Sequence, residues 1–303
     1  MRSLFCVCLG IGLAACASDP VAPPDPGSQW MTSLDDAAPL ASLSIPGTHE
    51  TLALLEPIPS SARCQRLALA DQLAAGVRFL DVRCRHLGDS FAIYHGPVFE
   101  QLTFDDVLAT VTGFLDAHPG ETVVMSIKEE SLPSQNTRSF EATFAAYVAA
   151  DPARWYLGAD VPALGDVRGK IVLLRRFAAA ASPLGIDGSA WADNTTFSLD
   201  AAGARLRVQD AYVVTSNAAK WNAIASLLAE ASTPSATLYL DYTSGYQMPG
   251  VLPDIASVAD VINPELDAYL ADPAHATAHL GVIANDFMTE GRALKIAQTN
   301  LRP

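Results

Sequence analysis

The residues of this chain best suited to chemistry sit where short apolar, β-rich runs end. His49 follows Ser44-Ile45-Pro46-Gly47-Thr48, and Asp81 and Arg83 close Phe79-Leu80-Asp81-Val82-Arg83. His95 ends the run 91–95, Lys128 the run 122–128 and Asp210 the run 206–210. Arg176 follows the run 170–175, and Asp286 ends the run 281–286. A charged side chain on a buried strand is costly unless it is paired, so the repetition of this pattern points to one shared site. Two imidazoles, several carboxylates and three cations suit a phosphodiester. One histidine takes a proton from the attacking hydroxyl while the other gives one to the leaving oxygen. A carboxylate orients each imidazole and supports its charged form. A guanidinium offers a bidentate fork to phosphate oxygens and stabilises the charge that develops there. Arg83 fits that task. No carboxylate cluster free for Ca²⁺ or Mg²⁺ is evident around it, so the expected chemistry is metal-free and needs no cofactor.

These residues need elements to carry them. Strands are expected at 43–45, 79–83, 91–95, 122–128, 170–175, 206–210, 237–242 and 281–286. Helical periodicity falls between several of them: 67–75 ending at Gly76, 107–117 after Thr103, and 218–231 after Ser216 and Asn217. Asp81 and Arg83, two apart, share one strand face. Eight strands with interleaved helices predict an α/β fold, a single-domain TIM (β/α)8-type barrel whose active face is the C-terminal strand ends. The connections 79–95 and after Arg175 are too short or irregular for full helices, so the barrel is expected to be distorted.

With 303 residues, half of them apolar and only 17% charged, the chain has ample material for a core and is not a disordered polymer. Its formal charge of −14 argues against a nucleic-acid partner. Residues 1–15 carry one basic residue, Arg2, and an apolar run too short to span a bilayer, the pattern of a secretory signal. The exit Leu13-Ala14-Ala15-Cys16 resembles a bacterial lipobox, which implies lipidation of Cys16. Residues 16–29, with Pro20, Pro23, Pro24 and Pro26, read as a tether, and the catalytic body is expected over 30–303. The chain is therefore expected to be exported and anchored by lipid in the cell envelope, or extracellular. Cys64 and Cys84 remain in the body, either joined in a disulfide or held as two separate thiols. His86, His118, His275 and His279 read as surface or loop residues.

At these residues the sequence resembles the bacterial phosphatidylinositol-specific phospholipases C of the metal-independent type. The landmarks are Ser44-Ile45-Pro46-Gly47-Thr48-His49, Phe79-Leu80-Asp81-Val82-Arg83, His95-Gly96-Pro97, Met125-Ser126-Ile127-Lys128, Gly169-Lys170-Ile171-Val172-Leu173-Leu174, Val208-Gln209-Asp210 and Ile262-Asn263-Pro264-Glu265. Each is weak alone, but their order and spacing are specific. The resemblance implies cleavage of phosphatidylinositol, or of glycosylated anchors, to diacylglycerol and inositol 1,2-cyclic phosphate, a phosphorus–oxygen lyase reaction. It implies His49 as general base with Asp286 behind it, and His95 as general acid. Arg83 would hold the phosphate, with Asp81 supporting Arg83 or the 2-hydroxyl. Lys128, Arg176 and Asp210 would bond the inositol hydroxyls, and Tyr212 would stack on the ring. The implied partner is a phosphatidylinositol lipid at a membrane surface, met by a monomer.

The sequence departs from the family at Glu50, where an aspartate is usual. The extra methylene bears on whether this carboxylate reaches His95. The apolar rim is also thin: Leu54, Leu55 and Ile58 form one lip and Tyr246 with Met248 another, and neither carries Trp. Two other readings stay open. One is a metal-dependent glycerophosphodiester phosphodiesterase of barrel fold, and the other a non-catalytic, inositol-binding surface lipoprotein.

Overall fold

The computed structural model describes residues 27–301 other than Pro234. The expected signal segment, the lipidated Cys16 and the tether up to residue 26 lie outside these residues. The strands are β1 (Ile45–Thr48), β2 (Phe79–Leu87), β3 (Ser90–His95), β4 (Val98–Thr103), β5 (Val123–Ser134), β6 (Trp155–Tyr156), β7 (Ile171–Arg176), β8 (Ile186–Asp187), β9 (Thr196–Ala201), β10 (Ala204–Gln209), β11 (Thr237–Tyr242) and β12 (Val282–Asn285). The helices are α1 (Leu69–Ala74), α2 (Phe104–Ala117), α3 (Phe140–Ala150), α4 (Leu164–Val167), α5 (Asn217–Ala231), α6 (Ala256–Ala271) and α7 (Glu290–Gln298).

Seven strands run parallel in the order β7-β5-β2-β1-β12-β11-β10 and curl into a TIM-type barrel. The next position beside β7 is filled by two fragments. β6 pairs with its N-terminal half and β8 with its C-terminal half. On the other flank β9 runs antiparallel to β10, and no ladder among the described residues joins β9 to the β6–β8 edge. The barrel is thus distorted, as expected, but one strand assignment needs correction. The run 91–95 is not a barrel stave. β3 turns back antiparallel on β2 and pairs onward with β4, because Gly88 and Asp89, both at positive φ, make a tight reversal.

Alternation along the barrel strands sorts their side chains into two layers. Ile45, Phe79, Val124, Val172, Leu174, Leu206, Val208, Leu238, Leu240, Val282 and Ala284 fill the interior. The opposite rows, Leu80, Val82, Met125, Ile127, Leu173 and Ile283, pack outward with Val107, Val111, Phe144, Ile224, Ile262 and Ile296 of the helices. Gly47 is inward, and a Cβ there would lie 2.9 Å from the Cβ and Cδ1 of Phe79, so glycine is what lets that ring fill the barrel floor. The helix starts follow their caps: Thr103 forms a capping box with Asp106, and Ser216 accepts from the Ala219 N–H.

Below the barrel, Arg78 is wholly buried with Nε 2.9 Å from Glu121, and its remaining donors reach the carbonyls of Leu73, Val77 and Ser28. Glu121 in turn accepts from Met31 and Thr32, so this pair fastens the start of the body across the barrel's lower end. His86 is a second correction. It is buried in β2, 2.8 Å from the Thr143 hydroxyl, with its ring edge-on to Phe91 and Phe140. The question of a disulfide is also settled: Cys64 and Cys84 are free, buried thiols in different apolar clusters.

Candidate active site

The inward rows of the strands are apolar below and change character at the top. Val282-Ala284 leads to Asp286, Ile45-Gly47 to His49, Phe79 to Asp81 and Arg83, Val124-Ser126 to Lys128, Leu206-Val208 to Asp210, and Val172-Leu174 to Arg176. All of these except the buried Asp81 line one cavity of about 450 Å³, joined there by Glu50, His95 and Tyr212.

His49 Nδ1 lies 2.8 Å from Asp286 Oδ1, so its Nε2 is the nitrogen left for chemistry. A buried amide network fixes both residues. Gln65 Nε2 donates to the carbonyls of His49 and Asn285, and Gln65 Oε1 accepts from the Met288 N–H. Asn263, within α6, donates to the Asp286 carbonyl. The landmark Ile262-Asn263-Pro264-Glu265 is therefore a brace behind the dyad. His95 reaches the cavity from the β2–β3 hairpin. Its Nδ1 donates to the Ala62 carbonyl at 2.6 Å, which leaves Nε2 as its second reactive nitrogen. Burial, and then the charge of Arg83, hold its pKa below the usual imidazole value.

Arg83 stands among three carboxylates: Asp81 at 3.1 Å, Glu50 at 2.7 Å and Glu130 at 3.3 Å. The sequence shows only Asp81 beside it. Glu50 comes from the end of β1 and Glu130 from β5, so the grouping is a product of the fold. Burial pushes the Glu50 carboxyl up to about 8 against the pull of Arg83. Its Oε1 lies close to Arg83 but accepts no aligned hydrogen bond. The opposite holds for Asp81, where Arg83 and Arg176 overcome burial and keep the carboxylate ionised well below its usual range. The longer side chain at Glu50 places Oε1 3.8 Å from His95 Nε2, beyond hydrogen-bond reach.

The opposite wall is built around Arg176. Its guanidinium stacks 3.9 Å over Trp191 and lies 3.9 Å from Asp210, while Trp191 Nε1 donates to Asp210 at 2.9 Å. This cluster spans the flank where the barrel lacks a full strand. Tyr212 donates to Asp193 at 2.7 Å, and Lys128 lies 3.2 Å from Glu130. Sequence reasoning missed Glu130, Trp191, Asp193 and Tyr242. Glu130 shares the inward parity of Lys128, and Tyr242 ends the inward row of β11, so both had a period-2 signal. Trp191 and Asp193 lie in irregular chain and had none.

Residues 37–177 match the family described as phosphatidylinositol-specific phospholipase C, X domain. The 1-phosphatidylinositol phosphodiesterase of Staphylococcus aureus is 33% identical over 254 residues, covering 78% of this chain and 81% of that protein. This chain belongs to the phosphatidylinositol-specific phospholipase C family. The corresponding protein of Listeria monocytogenes is 29% identical over 288 residues, covering 90% of this chain and 84% of its own. Among solved structures, the S. aureus phospholipase C superposes with a TM-score of 0.80 at 30% identity, covering 90% of this chain and 98% of its own. The L. monocytogenes phospholipase C gives 0.73 at 26% identity, with coverage of 90% and 98%.

Proposed function

We propose that this protein is a phosphatidylinositol diacylglycerol-lyase working by paired histidine catalysis, with Arg83 in the place a metal takes elsewhere. The observation that carries the reading is the pairing of His49 with Asp286 in the same cavity as His95 and a carboxylate-ringed Arg83. The inositol 2-hydroxyl attacks phosphorus as His49 Nε2 removes its proton. The phosphorus–oxygen bond to diacylglycerol then breaks as His95 protonates the leaving oxygen. Inositol 1,2-cyclic phosphate results, and no water is consumed. In a slower second step the roles reverse: His95 activates water and His49 returns a proton to the 2-oxygen. Asp286 supports the imidazolium formed on His49. Arg83 stabilises the equatorial charge on phosphorus, held in place by Asp81, and an approaching phosphate exchanges contacts with Glu50 and Glu130. Lys128, Arg176 and Asp210 supply fixed partners for the inositol hydroxyls, and Tyr212 and Trp191 offer flat apolar faces to the ring.

The substrate lies in a membrane, and the cavity rim suits that surface. Ile58, Met248, Val251 and Leu252 are exposed, Val251 at 90%. The two loops that carry them are tied together by the Ile255 N–H on the Ser60 carbonyl. No described helix is long and apolar enough to cross a membrane. Contact through the rim, and through a lipid on Cys16, fits a monomer exported to the cell envelope. The test is ³¹P NMR of detergent-dispersed phosphatidylinositol with EDTA present. A cyclic phosphodiester resonance that appears first, and is lost in His49→Ala, is the expected result. Turnover that needs added Ca²⁺ would overturn the arginine-for-metal reading and favour a metal-dependent phosphodiesterase. Silence under both conditions would leave a binding protein.

A further inference from the structure

Behind the dyad lies a buried thiol that the reaction does not use. The Cys64 Sγ, an Asp286 carboxylate oxygen and a His49 ring nitrogen all fall within 4.8 Å of one another. Cys64 is fully buried and Asp286 nearly so, while the His49 side chain is 15% exposed and faces the cavity. Thiolate, imidazole and carboxylate together form a donor set that selects zinc over calcium or magnesium. Three protein ligands with one side open to the cavity match the coordination of an accessible zinc site.

We propose that Cys64, Asp286 and His49 form an inhibitory site for zinc and similar soft divalent cations. The ion enters from the cavity, meets His49 first, and takes one lone pair from each of the three residues. The thiol proton of Cys64 leaves to solvent as the sulfur–metal bond forms, and nothing is oxidised. The 2.8 Å contact between His49 Nδ1 and Asp286 Oδ1 is shorter than the roughly 3.5 Å edge of a zinc tetrahedron, so binding parts these two atoms to admit the ion. It does so at the expense of the His49–Asp286 hydrogen bond. Metal binding and proton abstraction by His49 therefore exclude each other. That zinc inhibits rests on the catalytic reading of His49; that it binds does not.

Cobalt tests binding independently of turnover, because a Co²⁺–thiolate bond gives a charge-transfer absorption that carboxylate and imidazole ligation does not. The purified protein titrated with Co²⁺ is expected to develop that band, with Cys84→Ala retaining it and Cys64→Ser and Cys64→Ala losing it. Zn²⁺ is expected to inhibit phosphatidylinositol cleavage, with recovery on EDTA. Both Cys64 variants should need at least about tenfold more Zn²⁺ for the same fractional inhibition, the usual loss on disrupting a metal site. No band in the wild-type protein would overturn the proposal even if Cys64 variants fail to fold. So would equal zinc sensitivity in wild type and variants. A band without any turnover would leave the metal site standing and remove the catalytic reading.

Discussion

Arg83 carries one positive charge among three carboxylates, and how that charge is shared sets the working pH of the site. At neutral pH Glu50 is held neutral by burial, so Asp81 and Glu130 balance the guanidinium. As pH rises through about 8 Glu50 ionises and becomes a third anion against Arg83, competing with the phosphate. We therefore expect kcat/KM to fall above that pH, and Glu50→Gln to keep its neutral-pH activity while losing the alkaline fall. Matched pH–rate profiles decide this, and an unchanged alkaline limb in Glu50→Gln would assign the fall elsewhere. His95 adds a second titration. Its pKa lies low in the free protein through burial and Arg83, so the protonated acid is lost on raising pH from the acid side. A bound phosphate adds negative charge and raises that pKa. The limb is thus expected at higher pH in kcat than in kcat/KM. Removing either proton-transfer group, as His49→Ala or His95→Ala, should cost about 10²–10⁴-fold in kcat, with binding of a non-hydrolysable inositol phosphate largely kept.

The staves around the dyad work as a braced unit. β1 and β12 run parallel in register, Thr48 beside Asn285, which sets His49 and Asp286 side by side one residue further on. Gln65 and Asn263 then tie both strand ends to the chain behind them. Gln65→Ala would leave the His49 carbonyl and the Met288 N–H without this partner, at a cost of about 1–3 kcal/mol, and should lower kcat more than it raises KM. Two residues before His49 in β1, Gly47→Ala forces a methyl against Phe79, and overpacking of this kind costs about 1–3 kcal/mol. Urea denaturation measures both. A Gly47→Ala protein as stable as wild type would show that the floor can yield.

For the whole molecule the decisive relation is between cavity and rim. The apolar residues Val251 and Leu252 are exposed beside a polar cavity, in an acidic protein with little electrostatic attraction for anionic lipid. On the proposed function, insertion of these side chains supplies the body's own contact with the membrane. Burying one Val or Leu is worth about 1.5–3 kcal/mol, so Val251→Glu combined with Leu252→Glu should weaken sedimentation with phosphatidylinositol vesicles by at least about tenfold. Cleavage of a short-chain, monomeric substrate should persist. Equal loss on both substrates would place the defect in the cavity instead.

Much of the site was legible because strand periodicity is local. An apolar inward row that ends in a charge is visible in one dimension, so His49, Arg83, Lys128, Arg176, Asp210 and Asp286 could be chosen from the sequence. The sequence by itself also determined the α/β character, the helix caps at Thr103 and Ser216, and the imidazole, carboxylate and guanidinium types that gather in the cavity. What it could not determine was which side chains meet across the barrel. Glu50 and Glu130 are 80 positions apart in the chain, yet both reach Arg83 because β1, β2 and β5 are adjacent parallel staves. His95 reaches the cavity from a hairpin rather than a stave, and Trp191 closes the open flank from irregular chain. The neutrality of Glu50 and the burial of Cys64 against the dyad likewise belong to the tertiary structure. Desolvation and non-local distance decide both, and neither is encoded in any short stretch of sequence.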